Sequence, residues 1–266
     1  MCSFRLQRRG GSSGMSRIVL VTGAAGGIGE SVCRRLAADG FGVLAADLSQ
    51  EAAARVVTSL PGQGHRAIAL DVSDETAVAD AFAAAEAAGA PVDHVVAAAG
   101  ILLFAANGDR PPITDISLKE WELTQRVNST GTFLLLREYL RGATRRGATD
   151  GRFIGFASVA AQLGGYRSSA AYIASKGAVM ALVKAGAREA APLGITVNAV
   201  APGLIDAPML RQSLPPEKDS TIAANIPLNR IGAPADVAGA VSFLMGADAG
   251  YITGAVIDVN GGYRMQ

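Results

Sequence analysis

Short runs of continuous apolar residues, each followed by a stretch of helical character, recur along the whole chain. They read RIVLVTG (17–23), GVLAADL (42–48), AIALDV (67–72), DHVVAAAG (93–100), RFIGFAS (152–158), ITVNAVAPG (195–203) and AVIDVNGG (255–262). A strand with one face in water alternates apolar and polar residues. A strand apolar throughout is covered on both faces, which is the signature of a parallel sheet sandwiched between helices. The expected fold is a single doubly wound α/β domain with no internal linker or repeat. Ser73 and Asp74 mark one helix start. A long helix is expected from about Ser117 to Arg141, one carries Tyr172, and another runs from about Pro234 to Met245. Ligands of such sheets sit beyond the carboxyl ends of the strands, so residues just after each run are the functional candidates.

Composition narrows the partners. The chain has 266 residues, half of them hydrophobic and 18% charged, enough for a large core and too apolar for disorder. A net charge of +1 offers no electrostatic reason to expect nucleic acid or an anionic membrane as partner. No run approaches the roughly 20 apolar residues of a membrane span. The only cysteines, Cys2 and Cys33, form no disulfide framework, which fits a reducing, cytoplasmic location. His65 and His94 stand apart from other ligand types, so no metal site is expected. Residues 1–14 carry Arg5, Arg8 and Arg9 and then a Gly/Ser run, and read as a flexible leader or tag. The folded domain is expected over 15–266, from Met15.

The stretch TGAAGGIG (22–29) lies between the first strand and the first helix. Gly23, Gly27 and Gly29 allow a tight turn and close approach of backbone to a pyrophosphate, with Ile28 among them and the free N–H groups of the helix start alongside. Asp47 ends the second strand, where a carboxylate can accept hydrogen bonds from the ribose hydroxyls of an adenosine. A 2′-phosphate there would meet repulsion of roughly 3–4 kcal/mol per like charge at an effective dielectric near 20. Neither Ala46 nor Leu48 beside it is a cation, so NAD is the expected cofactor.

The stretch SSAAYIASKGAVMALVKAG (168–186) places Tyr172 and Lys176 four residues apart, on one face of a helix. Alone, the pair reads equally well as a core tyrosine beside a solvated lysine. With the glycine loop, however, the chain resembles the short-chain dehydrogenase/reductase family, in its one-domain NAD-type subgroup, from Ser16 to Tyr263. The family's TGxxxGxG appears as Thr22 to Gly29, its Asp-Val after the third strand as Asp71–Val72, and its helix asparagine as Asn128. Its serine after the fifth strand appears as Ser158, its YxxxK as Tyr172–Lys176, and its Pro-Gly as Pro202–Gly203. The resemblance implies a Rossmann-type fold and hydride transfer between NAD(H) and a secondary alcohol or ketone.

The resemblance also implies roles. Tyr172 would be the acid/base, and Ser158 would stabilise charge on the substrate oxygen. Lys176 would activate Tyr172 and hold the nicotinamide ribose, and Asn128 would link Lys176 to solvent through its carboxamide and a water. Lowering a tyrosine from near 10 to near 7 takes about 4 kcal/mol, most of which one cation at ~4–5 Å could supply. Leu48, Ala99, Gly100 and Ile205 complete the expected cofactor contacts. Ser158, Gln162, Tyr166, Tyr172 and Met209 are the expected substrate contacts. With Leu102, Phe104, Leu163 and Leu210 they make an apolar wall suited to an uncharged alcohol, with Arg167, in a loop expected to be mobile, the nearby candidate for an acid. A homotetramer is implied, built on helix 117–141 and the Tyr172 helix, with the C-terminal segment at a second interface.

Three departures from the family pattern stand out. AAAG (97–100) replaces Asn-Asn-Ala-Gly, Ala207 stands where a threonine is usual, and Ser158 lies 14 residues before Tyr172, one more than usual. Two rivals stay open. One is a 3-oxoacyl-[acyl-carrier-protein] reductase that presents REYLRGATRR (137–146) to an acidic carrier. The other is a catalytically silent NAD-binding regulatory protein, which the intact Ser158, Tyr172 and Lys176 speak against.

Overall fold

The computed structural model describes residues 17–105 and 108–265. The leader expected over 1–14 lies outside the described residues. In chain order the main elements begin with β1 (Ile18–Thr22), α1 (Gly27–Ala38), β2 (Gly42–Asp47), α2 (Gln50–Thr58), β3 (Arg66–Ala69), α3 (Glu75–Ala87) and β4 (Val92–Ala97). Next come α4 (Leu118–Gln125), α5 (Gly131–Arg146), β5 (Arg152–Phe156), α6 (Val159–Leu163), α7 (Ala170–Ala190) and β6 (Thr196–Pro202). The chain closes with α8 (Pro208–Arg211), α9 (Asp219–Ala223), α10 (Pro234–Met245) and β7 (Val256–Val259).

The strands form one parallel sheet in the order β3-β2-β1-β4-β5-β6-β7. The strand order reverses between β1 and β4, with β2 and β3 added on one side and β4 to β7 on the other, and at that switch point the connections leave a crevice beyond the strand ends. Each strand sends alternate residues to opposite faces. Leu20 joins one core with Leu135 and Tyr139 of α5 and Val179 and Val183 of α7. Val19 and Val21 join the other, with Val32 and Leu36 of α1 and Val237 and Val241 of α10. This double burial is the physical reason the strands read as unbroken apolar runs.

Local chemistry sets the helix starts. Asp74, rather than Ser73, caps α3, accepting from the N–H groups of Thr76 and Ala77. Ser117 and Glu120 form a reciprocal capping box on α4, and Ser169 caps α7. The helix expected to end near Arg141 instead runs on to Arg146, where Gly147 terminates it at φ +60. It is also interrupted: residues Arg126–Thr130 form a π turn that joins α4 to α5 and contains Asn128. Apolar periodicity does not register one inserted residue in a helical ladder, and such bulges concentrate at functional positions.

Candidate active site

Glycine shapes the first crossover. Gly23 follows β1 at φ +66, and a Cβ there would lie 2.8 Å from the Ala99 Cα. A Cβ on Gly29 would collide with the Gly23 carbonyl oxygen. The turn is therefore closed to larger residues, and a cradle of bare backbone results. Gly26 gives α1 no side-chain cap, so the helix start at Gly27, Ile28 and Gly29 lines the cavity with its N–H groups uncovered by any cap. Asp47 steadies this loop, its Oδ2 accepting from the Ala25 N–H at 2.9 Å. It does not cap the next helix, because Ser49 does so itself.

A cavity of about 660 Å³ extends beyond the carboxyl ends of the strands. Gly23, Gly27, Ile28, Gly29, Asp47 and Leu48 line it beside β1 and β2, and Asp71 and Val72 follow β3. Ala99 and Gly100 enter after β4, and Pro202, Gly203 and Ile205 after β6. Ser158, Tyr172 and Lys176 come together beyond β5, with Tyr166 and Met209 on the outer wall. The expected apolar side chains Leu102, Phe104, Leu163 and Leu210 are there too. Ser213, Ile222, Asn225 and Tyr263 also line the cavity, which sequence reasoning does not anticipate. They belong to the 203–229 region, where helices of only four and five residues alternate with turns, and to the chain end, and neither is long enough for periodicity to mark a facing side.

Tyr172 and Lys176 are both buried. The Tyr172 hydroxyl is hydrogen-bonded to Ser158, and Ser158 Oγ also accepts from the Ala160 N–H at 3.1 Å as the cap of α6. Lys176 Nζ donates to the Phe156 carbonyl at 2.9 Å and lies 5.8 Å from the centre of the Tyr172 ring. Burial holds the Lys176 ammonium down to about 8. Burial pushes the Tyr172 phenol up, and the Ser158 hydrogen bond draws it only partly back. The expectation that Lys176 supplies most of the lowering of Tyr172 is not met by the protein's own groups. Desolvation outweighs a cation that is directed at a carbonyl rather than at the phenol.

Two further expectations change. Asn128 does not line the cavity. Its Nδ2 donates to the Ile101 carbonyl at 3.0 Å and to Ser175 Oγ at 2.9 Å, and its Oδ1 accepts from the Ile101 N–H at 2.8 Å. Both amide hydrogens are spent on protein, which gives Asn128 a positioning role and leaves only the second lone pair of Oδ1 for the expected water link. Gln162 does not reach the cavity either: its Nε2 donates to Asp258 Oδ1 at 2.8 Å. The half-buried Asp258 carboxylate collects donors, Arg264 among them at 3.1 Å, and draws the amide toward β7.

The departures find local explanations. In AAAG, the Ala99 N–H donates to Thr22 Oγ1 at 3.3 Å and Ile101 is held by Asn128, so neighbours supply the tethers. The extra residue before Tyr172 is taken up around α6 and the left-handed Gly164 and Gly165. Ala207 begins α8 without a side-chain cap. No group of three or more potential metal ligands occurs among the described residues, and no helix there is long and apolar enough to cross a membrane.

A parallel sheet with a glycine cradle at its switch point defines a Rossmann-type, dinucleotide-binding protein. Comparison with known proteins narrows the class. A family model described as enoyl-(acyl carrier protein) reductase matches residues 23–264. The chain is 37% identical over 252 residues to a 3-oxoacyl-[acyl-carrier-protein] reductase of Aggregatibacter actinomycetemcomitans, covering 93% of this chain and 99% of that one. It is 35% identical over 255 residues to the cis-4-hydroxycyclohexanecarboxylate dehydrogenase of Sinomonas cyclohexanicum, covering 95% and 98%. A crystal structure of a short-chain dehydrogenase/reductase (glucose/ribitol dehydrogenase) from Brucella melitensis superposes with a TM-score of 0.85 at 31% identity, covering 95% and 98%. The chain belongs to the short-chain dehydrogenase/reductase family. It is an oxidoreductase acting on hydroxyl or keto groups with a nicotinamide cofactor.

Proposed function

We propose that the chain transfers hydride between NAD(H) and a secondary alcohol or its ketone, with Tyr172 as acid/base. One observation carries this reading: Ser158, Tyr172 and Lys176 meet in an apolar cavity that also contains the glycine cradle and Asp47. The residues present fit a dinucleotide. The cradle admits no Cβ at Gly23 or Gly29, the start of α1 carries no side-chain cap, and the Asp47 carboxylate stands at the cavity edge where adenosine ribose hydroxyls would reach it. Its chain neighbours, Ala46 and Leu48, offer a 2′-phosphate no cation, which favours NAD over NADP.

A bound nicotinamide cofactor supplies the hydride chemistry and, when oxidised, a positive charge. The protein handles the proton. Tyr172 takes the proton from the alcohol oxygen, or returns it to the ketone oxygen, at its phenolic oxygen. Ser158 donates to the same substrate oxygen and stabilises the charge that develops there. Lys176, charged at neutral pH, offsets phenolate charge and offers its remaining N–H donors to a ribose. Asn128 holds Ile101 against the π turn, keeping the β4 loop beside Lys176. The fatty-acyl reading has the similar carrier-protein reductase in its favour. Against it, Arg137, Arg141 and Arg145 are already ion-paired with Glu75, Glu138 and Glu86, which leaves little free charge for an acidic carrier.

The similar cyclohexanecarboxylate enzyme makes ring-borne secondary alcohols the first substrates to test. A homotetramer and a cytoplasmic location belong to the same reading. NADH formation with a panel of secondary alcohols tests it directly. Turnover should appear with NAD and vanish in Tyr172→Phe. Appreciable turnover in that variant would overturn the assignment of Tyr172.

A further inference from the structure

The charges around the cavity are segregated. Asp47 and Asp71 line it beyond β2 and β3, Lys176 lies in its middle, and Arg167 follows β5 in the connection to α7. The mobile loop expected around Arg167 is in fact tied down. Arg167 Nη2 donates to the Ser213 carbonyl, joining the 164–168 and 208–213 segments across the cavity. Arg110 braces the same turn, its Nη1 donating to the Gly165 carbonyl at 2.6 Å.

Arg167 is half-buried, lines the cavity, and has no carboxylate within ion-pair distance among the described residues. Its Nε is buried without any hydrogen-bond partner. Elsewhere in the chain the contrast is plain: Arg211, nearby in sequence to Ser213, is matched by Asp206 at 2.7 Å and Asp219 at 2.6 Å. A guanidinium half-desolvated without a counter-charge is costly; Nη2 is spent on Ser213, and Nη1, which has no hydrogen-bond partner among the described residues, is left to donate to an oxyanion in the cavity. The surrounding wall, Leu102, Phe104, Leu163, Met209 and Ile222, is apolar.

We infer that Arg167 is a specificity residue that pairs with an anionic group on the substrate, a carboxylate on an otherwise apolar alcohol. This rests on the oxidoreductase reading and deepens it. It reverses the expectation, drawn from the apolar wall, that uncharged alcohols are preferred. A purely structural Arg167, serving only to join the two segments, would affect all substrates alike. An anion-pairing Arg167 separates charged from neutral ones.

The test compares a ring-borne secondary alcohol that carries a carboxylate with its methyl ester, using the wild type, Arg167→Gln and Arg167→Lys with saturating cofactor. Thermal midpoints show that each variant folds. Wild type should favour the acid in kcat/KM by about tenfold or more, as expected for a desolvated charge-assisted pair. Arg167→Gln should lower the acid's efficiency at least about tenfold further than the ester's, with Arg167→Lys in between. Equal use of acid and ester by wild type, or equal losses for both in Arg167→Gln, would overturn the inference, while NADH formation from the ester would leave the oxidoreductase reading standing. Calorimetric titration of both compounds into cofactor-loaded protein measures the pairing without turnover. Acid binding that depends on Arg167 supports the inference even if the oxidoreductase reading fails, and acid bound no better than ester sinks it.

Discussion

The carboxamide of Asn128 holds the backbone of Ile101 at both ends, accepting from its N–H and donating to its carbonyl at 2.8 and 3.0 Å. This exchange resembles a rung of sheet, made between a π turn and the loop after β4. The second amide hydrogen reaches Ser175, one residue before Lys176. Asn128→Asp keeps the shape but removes both donors and sets a carboxylate against the Ile101 carbonyl. A loss of about 1–3 kcal/mol in stability is expected from such buried unpaired groups. Turnover should also fall, because Ile101, and with it the loop after β4 beside Lys176, is no longer held. Urea denaturation beside steady-state kinetics checks both, and an unchanged midpoint would mean that Asn128 is not the anchor.

Lys176 costs the fold something. Its ammonium is buried and donates to the Phe156 carbonyl, and burial lowers it to about 8 against an ordinary 10.5. The charged form is therefore disfavoured in the folded state. Replacing it by Met, of similar length and no charge, should raise stability at pH 7 by on the order of 1 kcal/mol, after allowing for the lost hydrogen bond. Turnover should be lost at the same time. The sign follows from the lowered value. As pH rises from about 8 toward 10.5, the folded wild type sheds the proton before the unfolded chain does, so wild type gains and the gap closes. Thermal scans at about pH 7 and about pH 10 decide, and a gap that widens with pH would contradict this.

What the sequence made legible follows from how each residue does its work. Strands buried on both faces write continuous apolar runs, and the glycine cradle needs Gly because no other residue fits at Gly23 or Gly29. Those signals are local. Ser158, Tyr172 and Lys176 are legible only through a resemblance, since nothing in their spacing alone shows that a loop and a helix meet. Gln162 misleads because its partner, Asp258, is distant in sequence, and the pull of a half-buried carboxylate leaves no local mark. Arg167 is undervalued for the same reason: an open guanidinium is visible only once the carboxylates around it are placed. The π turn at Asn128 is invisible because apolar positions continue on both sides of it.

Asp47 and Leu48 should decide between cofactors. The Leu48 side chain is 73% exposed, so an arginine there has room to meet a phosphate without repacking the core. Asp47→Ser with Leu48→Arg removes the repelling carboxylate and supplies a bidentate partner. Preference should move toward NADP(H) by about a hundredfold, in line with the repulsion of one carboxylate on a phosphate. Efficiency with NAD should fall as well, because Asp47 also holds the Ala25 N–H. Equal wild-type kcat/KM with both cofactors would show that Asp47 does not discriminate.

The groove between α5 and α7 bears on assembly. Phe133, Leu136, Leu140 and Leu182 line it, and Phe133 is 43% exposed under the Arg137 guanidinium. Apolar surface of this kind on a pair of long helices suits an isologous contact with a second copy. Phe133→Glu places a charge in the middle of that contact. Light scattering at micromolar concentration should give a tetrameric mass for wild type and a smaller species for the variant. A monomeric wild type would refute the assembly.

His94 should make stability depend on pH in a definite window. It lies in β4 between Val19 of β1 and Arg152 of β5, packed edge-on against Phe41, with both ring nitrogens buried and unpaired. Burial, reinforced by Arg17 and Arg152, lowers it from 6.5 to about 4. The folded protein thus keeps His94 neutral where the unfolded chain accepts a proton. Its contribution is fully present above about 6.5 and is lost as pH falls toward about 4, a total of roughly 3 kcal/mol. His94→Leu removes the titrating ring and the two unpaired nitrogens while keeping an apolar filler. The free energy of urea unfolding, measured from about pH 7.5 down to about pH 4.5, should therefore fall more steeply for wild type than for the variant. Subtracting the two curves cancels the carboxylates that titrate in both. Parallel curves would mean that His94 finds a proton acceptor in the folded state and does not set the acid limit of the fold.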